Sequence, residues 1–203
     1  EFSESFLSVP PEVLVSAMKE HQRYFHLTAP TSDKLLAKFI TVSNIESQNP
    51  SMVISGNERV IRARLSDAAF FFEKDSKIPL ETQLERLKSV VFQVALGSYF
   101  QKAKRIGSLA TYLAGVLGVD EKLAGRAGLL CKADLVSDLV GEFSDLQGIM
   151  GAYYAISDNE PDSIAKAIGE HYRPIQSGAQ LPEGALSSTV ALADKFDTLV
   201  GLF

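Results

Sequence analysis

The sequence predicts a mainly α-helical protein, a helical bundle preceded by the helix-and-hairpin end of an α+β domain. Three observations support this fold class. The strong apolar repeats from Gly56 onward have the 3.6-residue spacing of helices. Capping residues such as Gly118 and Asp120 separate these repeats. The alternating or β-branched character of strands is confined to the stretches 23–27 and 35–43.

The predicted domain boundary follows residue 55. A helix beginning at Pro11 is expected to end near His21, and the two strands follow it. A helix and a hairpin of this size cannot enclose a core, so we expect segment 1–55 to be the C-terminal part of an α+β domain. Residues 56–203 would form the helical domain. The chain starts without Met and stops inside an apolar run, which we expect of a piece of a longer protein.

The helical segment contains several apolar faces, the first of them formed by Ile61, Leu65, Ala68, Ala69 and Phe72. One predicted helix starts after Pro79 and includes Val91 and Val94 in its face. The next begins at Gln101 and ends at Gly118, a third follows Asp120, and the last covers 187–203.

Composition excludes several classes of function. The chain has 203 residues, a net charge of −5 and a pI near 5.3, so any nucleic-acid contact must use a local basic patch. The single cysteine, Cys131, excludes an internal disulfide and is compatible with a reducing compartment. No apolar run approaches the roughly 18 residues of a membrane span. We therefore expect a cytoplasmic protein with no membrane partner.

Basic residues in three places are candidates for RNA phosphate contacts. The start of one predicted helix carries Lys102, Lys104 and Arg105. Positive charge is unfavourable at that end of the helix dipole, and contact with an anion would offset this cost. Solvation of these long side chains explains them equally well. The remaining candidates, which pairing along a helix or solvation also explains, are Arg59, Arg62, Arg64, Lys19 and Arg23.

An acidic run follows Cys131. Carboxylates recur every four residues at Asp134, Asp138 and Glu142, a pattern that suits a divalent cation or acid–base work but is more typical of a solvated helix face. We favour the solvated face. Gly148 and Gly151 then indicate close approach of another part of the chain.

No catalytic motif is recognisable. The sequence lacks a Gly-rich phosphate loop, a nucleophile elbow and a Cys/His metal pair. His26 and His171 have no partner at ligand spacing, and Cys131 lies in an apolar helix, where we predict a buried, inert thiol. We therefore predict no catalytic residue and no bound metal.

The helical segment nevertheless resembles the HD domain of metal-dependent phosphohydrolases. That family binds its metal through a His before an Arg-Ile, a His-Asp pair after a Leu-Leu, and a late Asp. The corresponding positions here are Lys102, Cys131, Lys132 and Asp194. Because a lysine in place of a ligand carboxylate repels a cation, the resemblance implies an HD scaffold without its metal. An active HD-type phosphohydrolase is the alternative.

Over its whole length, the chain resembles the β subunit of the bacterial tetrameric glycyl-tRNA synthetases. The segments that carry the resemblance are HQRYF at 21–25, VSNIES at 42–47, GNERV at 56–60, ARLSDA at 63–68, KADLV at 132–136, LQGIMG at 146–151 and ADKFDTL at 193–199. They correspond to a middle portion of the family chain.

This resemblance implies a part in the ATP-dependent attachment of glycine to tRNA(Gly). The α subunit of that family carries the aminoacylation site, with ATP and Mg²⁺, so no cofactor is expected in this segment. The β subunit supplies tRNA binding. Segment 1–55 would belong to a domain like the editing domain of phenylalanyl-tRNA synthetase β chains, and 56–203 would be a degenerate HD-like domain. The expected partners are the α subunit, tRNA(Gly) and the rest of the β chain. A purely structural interaction module is a second alternative.

Overall fold

The computed structural model describes residues 1–44 and 46–203 and divides them into two compact units, Glu1–Asp75 and Ser76–Phe203. Ile45, within the segment 42–47, lies outside the described residues. Helices predominate in both units, which confirms the predicted mainly α class. Within the described residues, no helix combines the length and the apolar character that crossing a membrane requires.

The described part of the first unit contains a 3₁₀ turn (Glu4–Ser8), two α-helices and a hairpin. Its elements are α1 (Pro11–Ser16), a π-helical turn (Ala17–His21), the antiparallel strands β1 (Phe25–Thr28) and β2 (Leu35–Ile40), and α2 (Pro50–Asp75). Tyr24 stacks on Phe39 with ring centroids 4.8 Å apart and donates a hydrogen bond to Asn57 Oδ1 at 2.5 Å. The pairing of β1 with β2 and the end of the helical path at His21 confirm the predicted hairpin and helix end.

Helix α2 begins at Pro50, so the boundary predicted after Ser55 falls inside a helix. The whole helix belongs to the first unit and buries Ile61, Leu65 and Ala68 there. Gly56 is exposed and does not interrupt the helix. An apolar repeat shows that a helix exists but not which unit buries it, and this explains the displaced boundary. The family identities of the two domains remain predictions.

The second unit contains the helical bundle. Its elements are α3 (Leu80–Arg86), the short hairpin β3 (Val91–Gln93) and β4 (Gly97–Ser98), α4 (Tyr99–Leu117), α5 (Glu121–Leu130), α6 (Asp138–Glu142), α7 (Ile149–Ser157), α8 (Asp162–Glu170) and α9 (Ala185–Leu202). The core is built where α4, α5, α8 and α9 pack on one another. A Cβ on Gly128 would lie 3.1 Å from Gly107 Cα, so glycine permits the close contact of α4 and α5.

The helix predicted after Pro79 is wrong beyond Ser89, where the 3₁₀ turn Leu87–Ser89 that follows α3 ends. The chain turns there into the β3–β4 hairpin, which leaves Val91 66% and Val94 94% exposed instead of placing them on a buried face. The consecutive β-branched and aromatic residues Val90, Val91 and Phe92 favour an extended backbone here. Helix α4 then starts at Tyr99, two residues earlier than predicted, because Ser98 and Gln101 form a capping box.

The solvated acidic face predicted for residues 134–142 is wrong at Asp134. Helix α5 ends at Leu130, and Asp134 lies fully buried in a 3₁₀ turn over Ala133–Val136. Its Oδ2 accepts hydrogen bonds from the backbone N–H groups of Gly148, at 2.6 Å, and Gly151, at 3.0 Å. Burial raises the pKa of Asp134 to about 6, although these two hydrogen bonds act in the opposite direction. The two glycines thus mark the close approach that the sequence indicated.

Substitution of Gly151 by alanine tests this junction. The added Cβ would lie 2.8 Å from Ile168 Cγ2 and 3.1 Å from Asp134 Oδ2, so we expect a loss of about 1–3 kcal/mol in the free energy of unfolding. The matched control is Gly141→Ala, because no atom lies within 4 Å of a Cβ there. Urea denaturation should show a destabilised Gly151→Ala variant and an unaffected control. Equal stability of both variants would contradict the packing described.

Candidate functional site

Three of the four HD-like positions meet inside the second unit. Asp194 of α9 lies between Lys102 of α4 and Lys132, which follows α5. The Lys102 Nζ is 3.2 Å from Asp194 Oδ1, and the Lys132 Nζ is 2.8 Å from Asp194 Oδ2. Both lysines are 2% exposed and Asp194 is 7% exposed. Buried charges require partners, and here one carboxylate serves two ammonium groups.

Each Nζ proton of Lys132 has an acceptor. Besides Asp194, the ammonium group lies 2.9 Å from His171 Nε2 and 3.8 Å from the centre of the Tyr172 ring. The Nδ1 of His171 lies 2.6 Å from the Ile168 carbonyl oxygen. A carbonyl only accepts, so Nδ1 carries the proton and Nε2 accepts from Lys132. Burial, reinforced by the charge of Lys132, lowers the pKa of His171 to about 3, so the imidazole is neutral.

Lys102 and Arg105 are joined to a second carboxylate, Asp197. Lys102 Nζ lies 3.0 Å from Asp197 Oδ2 and 2.7 Å from Thr198 Oγ1. Arg105 forms a bidentate pair with Asp197, donating from Nε to Oδ1 at 2.5 Å and from a terminal nitrogen to Oδ2 at 3.2 Å. The Lys102 side chain is buried, whereas that of Arg105 keeps 38% of its surface exposed beside its pair with Asp197. Pairing leaves Lys102 no room for a phosphate, and the phosphate contact predicted for Arg105 stays a prediction.

The two aspartates remain charged in this setting. Burial would raise the pKa of Asp194, but the charges of its neighbours, Lys132 foremost, hold it below its usual value. Burial likewise opposes ionisation of Asp197, and its hydrogen bonds with Arg105 and Lys102 outweigh that effect and lower its pKa. The result is a network of paired charges that links α4, α9 and the turn after α5.

The fourth HD-like position, Cys131, takes no part in the charge network. Its thiol is fully buried and donates to the Gly128 carbonyl oxygen at 3.2 Å. Burial raises the pKa of Cys131 to about 12, so the reactive thiolate does not form near neutral pH. This confirms the predicted buried thiol.

The donor set does not suit a metal ion. Throughout residues 1–44 and 46–203, no three His, Cys, Asp or Glu side chains are placed to hold one together. Both oxygens of Asp194 face ammonium groups, and His171 directs its lone pair at Lys132, so an added divalent ion would meet two positive charges. The arrangement serves to join helices rather than to activate water.

The remaining predicted RNA-contact residues lie on the surface. Helix α2 exposes Arg59, Arg62 and Arg64, of which the first two share a helix face. Lys19 and Arg23 are exposed as well, and each lies within 4 Å of a Glu20 oxygen. The start of α4 exposes Lys104.

Sequence reasoning missed His171, Asp197 and Thr198 as members of the cluster. Asp197 and Thr198 carried a detectable signal, because they lie three and four residues after Asp194 on the same face of α9. His171 carried none, since it follows α8 and reaches Lys132 only through the packing of the bundle.

Comparison with known proteins gives a consistent result. A family model described as glycyl-tRNA synthetase beta subunit matches residues 1–203. The chain is 52% identical over 202 residues to the glycine–tRNA ligase beta subunit of Pseudomonas putida (strain W619) and 54% identical over 202 residues to that of Marinobacter nauticus. Each alignment covers 100% of this chain and 29% of the relative. The chain thus spans less than a third of the length of these relatives.

Removal of one cation tests the charge network. Lys132→Met leaves His171 without its donor and Asp194 with a single ammonium partner, so we expect a loss of about 3–5 kcal/mol in the free energy of unfolding. Lys166→Met, which removes an exposed pair with Glu183, is the control and should change stability little. Urea denaturation measures both variants. A Lys132→Met variant as stable as the control would contradict a structural role for the network.

The buried imidazole predicts a specific pH dependence. The folded-state pKa of His171, about 3, lies below its usual value of 6.5, so its contribution to stability is present above pH 6.5 and is lost as the pH falls towards 3. In the NMR spectrum, the His171 ring resonances should keep the neutral position from pH 8 to pH 5. A His171→Gln variant should lose stability less steeply over the acidic range. A His171 resonance that titrates with a midpoint near 6.5 would contradict the assignment.

Proposed function

The chain belongs to the glycyl-tRNA synthetase β subunit family, and we propose that it acts within a β subunit in the ATP-dependent attachment of glycine to tRNA(Gly). The family match over residues 1–203 supports the proposal. In this role the chain contributes to tRNA binding and to assembly with the α subunit and with the rest of the β chain, and it works in the cytoplasm.

The chemistry of aminoacylation belongs, in this proposal, to the α subunit, which would bind ATP and Mg²⁺. The described part of this chain supports that division. The buried groups of its central cluster, Lys102, Lys132, Asp194 and His171, neutralise one another through ion pairs and hydrogen bonds. Groups held in this way have neither the access to solvent nor the free lone pair that a nucleophile or a general base needs.

The second unit, in the same proposal, is an HD-like scaffold that no longer performs HD chemistry. The observation that carries this conclusion is the position of Asp194 between Lys102 and Lys132. Ammonium groups here supply the positive charge that a metal supplies in an HD site, but they provide neither a Lewis acid nor a bound water. The HD-type phosphohydrolase is accordingly not favoured.

Contacts with tRNA are assigned to the exposed basic residues. The net charge of −5 offers no general attraction to RNA, so affinity must come from local groups. Arg59 and Arg62 provide two guanidinium groups one helical turn apart on α2. The further candidates are Lys104, Lys19, Arg23 and Arg64, all of which have exposed side chains.

Salt dependence tests this role in the complete α–β enzyme. The affinity for tRNA(Gly) should fall as salt rises, and Arg59→Gln combined with Arg62→Gln should reduce the slope of log Kobs against log salt by about 1 for each phosphate that loses its guanidinium partner. Lys34→Gln, an exposed lysine of the same unit, serves as the control and should leave the slope unchanged. A β subunit whose tRNA affinity is negligible and independent of salt would indicate the purely structural module instead.

A further inference from the structure

The basic start of α4 divides into an inner and an outer part. Lys102 is buried and pairs with Asp194 and Asp197, and Arg105, whose side chain is 38% exposed, pairs with Asp197. Lys104 is exposed, and within the described residues it has no carboxylate partner. Among the described basic residues at the start of α4, Lys104 is therefore the one whose charge no carboxylate neutralises.

An aromatic ring lies beside this lysine. The Nζ of Lys104 is 4.7 Å from the centre of the Phe100 ring, and the Nζ of Lys88 is 4.8 Å from the same centre. Lys88 is also paired with Glu85. These side chains border a surface depression of about 700 Å³ between the β3–β4 hairpin and α4. Because an aromatic ring attracts cations over its face, Phe100 holds positive charge beside this depression.

A second depression, of about 450 Å³, adjoins the first at Lys104 and reaches Tyr112, whose side chain is 69% exposed. Phe100, Lys104, Ser108 and Tyr112 follow one another at four-residue spacing and so form a row that winds by about 120° around α4. With a rise of 1.5 Å per residue, the two rings lie about 18 Å apart along the helix. Rings and lysines thus alternate along one continuous strip.

We propose that this strip, defined by Lys88, Phe100, Lys104, Ser108 and Tyr112 and called here the α4 surface, binds a single-stranded segment of the tRNA. The inference rests on the proposed function in tRNA charging. Single-stranded RNA is held by basic side chains at its phosphates and by aromatic rings on which its bases stack. Duplex RNA would use the lysines but would leave the rings without a partner, because its bases are already stacked.

The test compares variants of the complete α–β enzyme. Lys104→Met should reduce the slope of log Kobs against log salt by about 0.9, the value for one phosphate contact. Tyr112→Ser should weaken tRNA(Gly) binding about tenfold through the loss of one stacked base. Both side chains are exposed, so both variants should fold normally. Lys122→Met, an exposed lysine of α5, is the matched control and should bind as the unmodified enzyme does.

A single-stranded octaribonucleotide and an RNA duplex of equal length separate the modes of binding. Tyr112→Ser should weaken binding of the octaribonucleotide and leave binding of the duplex unchanged. If the unmodified enzyme binds tRNA but both variants behave like the Lys122→Met control, the proposal that the α4 surface binds RNA is overturned and the proposed function stands. If the unmodified enzyme fails to bind tRNA, the proposed function itself fails. Loss of α-subunit affinity in the variants, with RNA affinity retained, would identify the strip as a protein interface and overturn the inference.

Discussion

The second unit depends on one buried carboxylate, Asp194, held between the ammonium groups of Lys102 and Lys132. Burying three charges is unfavourable unless each finds its partners, and this requirement fixes the relative positions of α4, α9 and the turn that follows α5. His171, which directly follows α8, meets the same requirement, because its neutral imidazole accepts a hydrogen bond from Lys132. Removal of any one of these groups would leave a buried partner unpaired, so the observed packing depends on all of them.

In the HD-like scaffold that we propose for the second unit, lysines at the HD-like positions would replace metal chemistry by ion pairing. A metal site needs several lone pairs directed at one point, whereas the lone pairs here are directed at ammonium groups. The lysine charge balances Asp194 without exchangeable ligands and without a water that could be activated. The proposed division of labour, with aminoacylation on the α subunit, would leave this unit free of an active site. A rigid support for RNA contacts fits that role.

Local signals in the sequence predicted a large part of this fold. The start of α1, the hairpin of the first unit, the Gly118 cap and the final helix all follow from capping residues and apolar spacing within a few residues. The failures have long-range causes. The spacing of Val91 and Val94 fits a helical face, but Val91 lies in β3 and Val94 in the turn that joins β3 to β4. The local pattern does not distinguish the two structures. Asp134 resembles a solvated acid until the backbone of Gly148 and Gly151 is seen beside it.

The candidate site was predictable in its positions but not in its partners, because Lys102, Lys132 and Asp194 come from distant parts of the chain.

Metal content tests the central claim most directly. The complete β subunit would be equilibrated with Mn²⁺ or Fe²⁺, freed of unbound ion and subjected to elemental analysis beside an Asp194→Asn variant. Lysine charge in place of a metal predicts no stoichiometric ion in either protein. One equivalent of metal in the unmodified protein, absent from the Asp194→Asn variant, would contradict it.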